Sequence, residues 1–415
     1  MEFPSLNLPS TRESSLQRAK KFAPQMGADY AHGRNFVFQG HPHVSKLAAS
    51  VRVRLLSEAE LSQIALDEHG SLAKCEKFVQ EIHWRSYWRS WLETRPAVWN
   101  EYQKARDSAR ENLNKAQLKR IEQIENGATA IGVIDNFARE LTQTGYLHNH
   151  ARMWLAGYWI HTERLPYELG ADFFERHLIC ACPASNTLSW RWVAGLQTRG
   201  KTYLTRRSNV EKYCDEAYLD GGIGLEKLER AQSAPFDENY QVPSARIPTF
   251  EIEFPQKMKQ VGIWISEDDL SPETSTLKDL KTENIAVTLT SAPEKSESSN
   301  GLRREFRLDA TQDAATRAQE FWKAPATHFE AQTPAELAAQ LEKWARENDL
   351  KTVVALKPFV GPSGDALPAL EKSLSAAGIG FHWLRRAEDA RVLGAAERGY
   401  FKFWSATKAE ISPGL

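Results

Sequence analysis

Cysteine is scarce, with four residues in a chain of 415 and no regular spacing among them. That excludes a disulfide-framed secreted scaffold and fits a reducing compartment. No run of 18 apolar residues occurs, and the opening stretch from Met1 to Ser15 lacks a basic segment followed by an apolar core. Neither a membrane-spanning helix nor a secretory leader is therefore expected, and the expected location is the cytoplasm. An excess of one charge is missing as well. Lys and Arg number 53 against 54 Asp and Glu, a formal net charge of -1, which excludes a globally basic nucleic-acid binder but leaves room for a local patch. What remains is an ordinary globular composition, 41% hydrophobic and 26% charged, in a chain long enough for two domains or three. Tryptophan is the exception: there are thirteen, and eight lie between Trp84 and Trp192.

From about Asn35 to Tyr203 apolar residues recur every three or four positions and β-branched alternation is rare, the pattern of an all-helical region. Between Lys212 and Pro248, the residues Gly221, Gly222, Gly224, Pro235, Pro243 and Pro248 stand among polar ones and mark a connection. Beyond it, short apolar runs at Val261 to Ile265, Ile285 to Leu289 and Thr352 to Leu356 alternate with helical stretches at Thr311 to Lys323, Thr333 to Asn348 and Leu367 to Ala377. Strands separated by helices imply a sheet with helix cover. Ser296 to Gly301 reads as a mobile loop within it. The chain thus divides into a helical domain over residues 1–240 and a smaller α/β domain over residues 241–415.

Two helical stripes carry unusual chemistry. Glu81, Trp84, Arg85 and Trp88 fall at i, i+3, i+4 and i+7, so a carboxylate, a cation and two indoles share one face. Packing indoles beside a solvated Glu81/Arg85 pair is the plainer reading, and a pocket floor that stacks a planar group is the sharper one. Asn149, Arg152, Met153 and Ala156 repeat the same spacing, and two such stripes facing each other would build one pocket. No metal is expected. His148 and His150 stand two apart and point away from each other on a helix, His41 and His43 have no further ligands nearby, and Cys180-x-Cys182 with His177 lacks a second closely spaced pair. Gly195 to Thr202 matches the phosphate-cradling pattern G-x-x-x-x-G-K-[ST], but a helical segment precedes it where the mechanism needs a strand.

Five segments, read in order, resemble the photolyase/cryptochrome flavoprotein family. They are Tyr30-Ala-His-Gly-Arg-Asn, Val44-Ser45-Lys46-Leu47, Glu81-Ile-His-Trp84-Arg85, Gly145-Tyr-Leu-His-Asn149-His-Ala-Arg152-Met153 and Pro183-Ala-Ser-Asn186-Thr-Leu-Ser-Trp190-Arg-Trp192. The resemblance covers the helical FAD-binding domain, over roughly residues 25 to 215. It implies a mainly α protein, an all-helical photolyase-type FAD-binding domain followed by a smaller α/β Rossmann-like domain, the latter a displaced or degenerate antenna-like domain. It implies FAD as cofactor, with Tyr30, Ser45, Lys46, Leu47, Gln80, Arg85, Asn149, Arg152, Asn186 and the positions Cys180 and Cys182 around it. Glu81, Trp84, Met153 and Trp192 would form the substrate side of an enzyme that splits cyclobutane pyrimidine dimers, Asn149 would sit beside the flavin N5 and tune it, and Trp190 with Tyr167 would relay electrons. Arg199, Lys201, Arg206 and Arg207 are candidates for phosphate contacts with damaged DNA.

Departures from the family pattern shape the expectation. Cys180 and Cys182 stand where the family has aspartates, one of which pairs with the arginine matching Arg152, so a buried guanidinium without a partner is expected there. Ala48-Ala49 and Val44 alter the phosphate loop, and the flavin-like domain comes first in the chain. The leading expectation is light-driven electron transfer from reduced FAD to a pyrimidine dimer. The alternatives are a cryptochrome-like blue-light sensor acting on a protein partner through the α/β domain, or a scaffold whose FAD binding is weak or lost.

Overall fold

The computed structural model describes residues 2–229, 231–235, 240–290 and 300–411. Helices dominate up to Leu228, and the principal ones are Arg12–Phe22, Glu58–His69, Leu72–Glu93, Ala97–Glu111, Lys115–Glu125, Gly132–Thr144, Asn149–Gly157, Tyr167–His177 and Pro183–Val193. Local chemistry sets several of their ends. Ser57 caps Glu58–His69 in a reciprocal box with Glu60, and Asn114 caps Lys115–Glu125 in the same way with Gln117. Gly145 ends Gly132–Thr144 at φ 66°, and a Cβ there would stand 2.6 Å from Ile179, so the turn leading into Asn149–Gly157 needs glycine twice over.

Residues 240–259 run without helix or regular strand. Five strands follow, β1 Val261–Ser266, β2 Asn284–Thr290, β3 Ala326–Ala331, β4 Thr352–Leu356 and β5 Gly380–Leu384. All pairings are parallel in the order β3-β2-β1-β4-β5, with Ile263 opposite both Ile285 and Val354. The central strands are buried on both faces, which is why their sequence reads as continuous apolar runs. The sheet is thus mononucleotide-fold-like, with the order of strand addition reversing between β1 and β4. The first helix of this region, Asn300–Trp322, begins well before the expected Thr311. Its early turns are rich in Arg and Glu and carry little apolar periodicity, so they gave no signal. Asn300 and Gly301 therefore open a helix rather than end a loop, while the rest of the expected loop lies outside the described residues.

The reversal point is a ligand crevice in open parallel sheets, and here the helical region fills it. Arg52 Nη1 donates to Asp268 at 2.7 Å, and Arg54 reaches Asp269 at 3.1 Å and grips both oxygens of Asp389 at 2.7 and 2.6 Å. Arg386 grips both oxygens of Asp269 at 2.7 Å, and Arg385 donates to Glu93 at 3.0 Å. The Phe359 ring lies between three guanidiniums, 4.4 Å from Arg89 and Arg385 and 5.2 Å from Arg54. After β5 the chain returns to the helical region, where the last helix, Tyr400–Ile411, packs against Leu72–Glu93. Phe403 and Trp404 are 0% and 4% exposed, so this helix is part of the core.

Candidate flavin site

The helix Leu72–Glu93 is the floor on which the site is built. It packs against Ala28–Gly33 on one side and Pro183–Val193 on another, and Pro183–Val193 packs in turn on Asn149–Gly157. Tyr30, Arg34, Ser45, Lys46, Gln80, Glu81, Trp84, Arg85, Arg152, Met153, Asn186 and Trp192 are all half-buried, and Asn149 is exposed. Polar and aromatic side chains held between water and core are what a recess for a partly polar ligand requires.

The first stripe is not paired as its spacing suggested. Glu81 Oε1 meets Arg34 Nη1 at 3.1 Å, and Arg85 turns toward Glu58 instead of Glu81. Burial raises the Glu81 carboxyl, and Arg34 reverses this only in part. The same burial, aided by the Glu81 charge, pushes the Tyr30 phenol up, while its ring stands edge-on to Phe78 at 5.0 Å. Arg85 approaches Glu58 no closer than 3.5 Å, and its buried Nε and Nη2 atoms have no hydrogen-bond partner among the described residues. Trp84 is stacked on Tyr400, centroids 3.6 Å apart and planes 11° from parallel. Nothing in the first helical stripe announced Tyr400, since the contact joins residues more than 300 positions apart; the one sequence signal was the aromatic cluster from Tyr400 to Trp404 itself.

In the second stripe Arg152 is not left without partners. Its Nε donates to the Leu147 carbonyl at 2.8 Å and its Nη1 to the Cys180 sulfur at 3.5 Å. A thiol takes part of the place that a carboxylate was expected to leave empty, which corrects that expectation. Asn186 uses Nδ2 on the Ala171 carbonyl at 2.7 Å. Lys46 sits at φ 57° with Nζ on the Gly40 carbonyl at 2.8 Å, and Leu47 is buried at 1% exposure. Gln80 donates to Glu76 at 3.2 Å, while its carbonyl accepts the Tyr400 hydroxyl at 2.5 Å.

Further from the recess, Trp190 is buried and meets Trp159 edge-on at 6.2 Å and Phe174 at 5.0 Å. Gly170 permits this packing, since a Cβ there would lie 2.3 Å from the Trp190 ring. Tyr167 faces Arg191, which donates to its hydroxyl at 3.4 Å. Trp192 meets Tyr203 at 5.7 Å. Of the basic candidates, Arg199, Lys201 and Arg206 are exposed, whereas Arg207 is held by Glu211 and Glu229, both at 2.7 Å. Gly195 to Thr202 is a run of turns with no strand before it and no helix directly after it, so it is not a phosphate-binding loop of that type. Among the described residues no helix is long and apolar enough to cross a membrane.

FAD is an anionic, elongated molecule with a planar ring system, and the half-buried polar and aromatic side chains around Leu72–Glu93 are of the kinds that suit it. The unpartnered nitrogens of Arg85 and the Nε of Arg34 offer donors to an anion, and Tyr30, Trp84 and Met153 offer apolar surface.

Comparison with known proteins agrees. Residues 78–217 match the family described as the FAD binding domain of DNA photolyase. The deoxyribodipyrimidine photo-lyase of Streptomyces griseus is 31% identical over 172 residues, covering 41% of this chain and 36% of that protein. A cryptochrome DASH of Vibrio parahaemolyticus is 33% identical over 102 residues, covering 24% of this chain and 22% of that protein. The chain therefore spans well under half the length of these curated relatives. Among solved structures, a class III photolyase from Agrobacterium tumefaciens aligns with a TM-score of 0.42 at 24% identity, covering 49% of this chain and 42% of that one. A cryptochrome from Synechocystis aligns with a TM-score of 0.45 at 21% identity, covering 55% and 50%. Residues 78–217 are thus similar to the FAD-binding domain of DNA photolyases, over part of the chain and part of those relatives.

Proposed function

We propose that this chain is a blue-light-responsive FAD protein in which the cofactor occupies the recess over the helix Leu72–Glu93. When bound, FAD supplies light-driven one-electron transfer. The chain's residues hold it: Arg85 and Lys46 toward the anionic part, Tyr30, Ser45 and Leu47 beside them, and Gln80, Asn149, Arg152, Asn186, Cys180 and Cys182 around the ring system. The observation that carries this reading is the pair of buried Arg85 nitrogens, Nε and Nη2, that make no hydrogen bond among the described residues, Nε meeting Glu58 only at 3.5 Å, since a buried donor without a hydrogen bond is costly unless a ligand meets it.

Two uses of that electron are open to the same site. Repair of a pyrimidine dimer in DNA draws support from Glu81, Trp84, Met153 and Trp192, and the base would have to leave the duplex to reach them. A sensing role without repair draws support from Tyr400, whose ring covers a face of Trp84 that a flipped base would need. The stacked geometry favours sensing, with signals passing to a protein partner through the α/β region, which we place from about residue 241 onward. Arg199, Lys201 and Arg206 remain the phosphate contacts of the repair reading.

The deciding experiment has two stages. The absorption spectrum of the purified protein, in darkness and then under blue light with a reductant, should show flavin bands that bleach. A dimer-repair assay on irradiated DNA should then show no turnover. A colourless protein after incubation with FAD would sink the flavin reading, and light-dependent loss of dimers would replace sensing by repair.

A further inference from the structure

All four cysteines are free and buried. Cys182 differs from the others in what surrounds it. It is the residue before the helix Pro183–Val193, where the unpaired N–H groups of the first turn favour an anion. Arg85 and Arg89, one turn apart on Leu72–Glu93, and Arg52 from Ala48–Arg52 bring three guanidiniums to bear on its sulfur. Cys182, Arg52 and Arg89 share the wall of a small cavity closed by Asp268, Phe359 and Gly361, which follow the carboxyl ends of the central strands β1 and β4. Arg52 has a side chain 6% exposed and spends Nη1 on Asp268, yet its Nε has no hydrogen-bond partner among the described residues. A buried donor without a hydrogen-bond partner and a sulfur beside several cations thus border one small cavity, about large enough for a single water-sized molecule.

We propose that Cys182 is a thiolate site oxidised by hydrogen peroxide entering this cavity. The sulfur attacks one peroxide oxygen, an S–O bond forms as the O–O bond breaks, and hydroxide leaves and is neutralised to water by a proton from the buffer. Sulfur loses two electrons and peroxide gains them, leaving a sulfenic acid. The guanidiniums stabilise the anion on sulfur before the step and the charge on the departing oxygen during it.

The electrostatics run the same way. Burial by itself would raise the Cys182 thiol, but Arg85, Arg89 and Arg52 outweigh it and bring it down to about 6. The acids that face the same arginines are Glu58, on Arg54 and Arg89, and Asp268, on Arg52; Arg85 meets Glu58 only at 3.5 Å. The chain carries its own controls. Burial raises the thiols of Cys75 and Cys214, the latter also through Asp215 and Glu140, and Cys180 lies against the single guanidinium of Arg152.

The site shares Cys182 and Arg85 with the flavin reading, but its readout, cysteine labelling, does not require bound FAD. The full chain is treated briefly with hydrogen peroxide and then dimedone, and each cysteine peptide is quantified by mass spectrometry, with urea-unfolded protein showing that all four can be labelled. Labelling at Cys182 should exceed that at Cys75 and Cys214 by about tenfold at pH 7. Iodoacetamide alkylation of Cys182 should have its midpoint near pH 6 and slow several-fold at pH 7 in Arg85→Gln. Equal labelling of all four, preference for Cys180, or an Arg85→Gln protein that folds and alkylates at the native rate would overturn the proposal.

Discussion

The phenol ring of Tyr400 lies on the indole of Trp84 with centroids 3.6 Å apart and planes within 11° of parallel. The hydroxyl of the same residue is tied to the Gln80 carbonyl at 2.5 Å, and Tyr400 is 4% exposed. Two separate contributions follow, ring burial and one hydrogen bond, and they can be pulled apart. Tyr400→Phe keeps the ring and should cost about 1 kcal/mol. Tyr400→Ala empties the space and should cost about 3–5 kcal/mol. Urea unfolding of both variants checks the difference, and near-equal losses would mean that the stack contributes little.

Arg85 should govern flavin content more than fold stability. Its buried Nε and Nη2 make no hydrogen bond among the described residues, so Arg85→Gln breaks none there and removes only the 3.5 Å approach to Glu58. Loss of a charged donor to an anionic ligand is worth about 1.5–3 kcal/mol, roughly a tenfold to hundredfold weaker FAD affinity. The ratio of absorbance at 450 nm to that at 280 nm, with thermal unfolding alongside, separates the two effects. A variant with full flavin content contradicts the placement.

The clearest pH dependence belongs to His83. Burial lowers its imidazole to about 4, with Glu58 opposing, and it contacts Ser62 Oγ at 3.1 Å. The unfolded chain takes up this proton near pH 6.5 while the folded one holds it off until about pH 4. Stability from this group is therefore present above pH 6.5 and lost as pH falls toward 4, by roughly 3 kcal/mol over the interval. Unfolding free energy followed from pH 7.5 to 4 should fall more steeply in the native chain than in His83→Gln.

At the junction of sheet and helices, Asp269 accepts from Arg386 through both oxygens and from Arg54. Asp269→Asn leaves Arg386 and Arg54 without their full charge partner in the interior. Removing one partner of a buried pair costs about 3–5 kcal/mol. Chemical unfolding should show that loss, and a change below 0.5 kcal/mol would place the junction in effective contact with water.

Much of the helical region was legible because its signals are local. Apolar residues at three- and four-residue spacing gave Leu72–Glu93 and Pro183–Val193, and short apolar runs gave β1, β2 and β4. β3 and β5 were harder to read, since Ala326–Ala331 and Gly380–Leu384 are half-buried edge strands with charged, aromatic and small residues mixed. The stripe spacing correctly put Glu81, Trp84 and Arg85 on one surface, but spacing cannot say which neighbour a charge will choose.

That choice was made by the tertiary structure. Glu81 took Arg34, Arg85 turned toward Glu58, and Arg152 found the Cys180 sulfur, each through contacts between segments distant in sequence. The same holds for Tyr400 on Trp84 and for the arginines that fill the sheet's crevice. The sequence by itself determined helix, strand and the likeness of residues 78–217 to a photolyase FAD-binding domain, because periodicity and short motifs are properties of neighbouring residues. Which charges are paired, which donors are left for a ligand and which thiol is ringed by cations depend on desolvation and distance, and those exist only once the chain has folded.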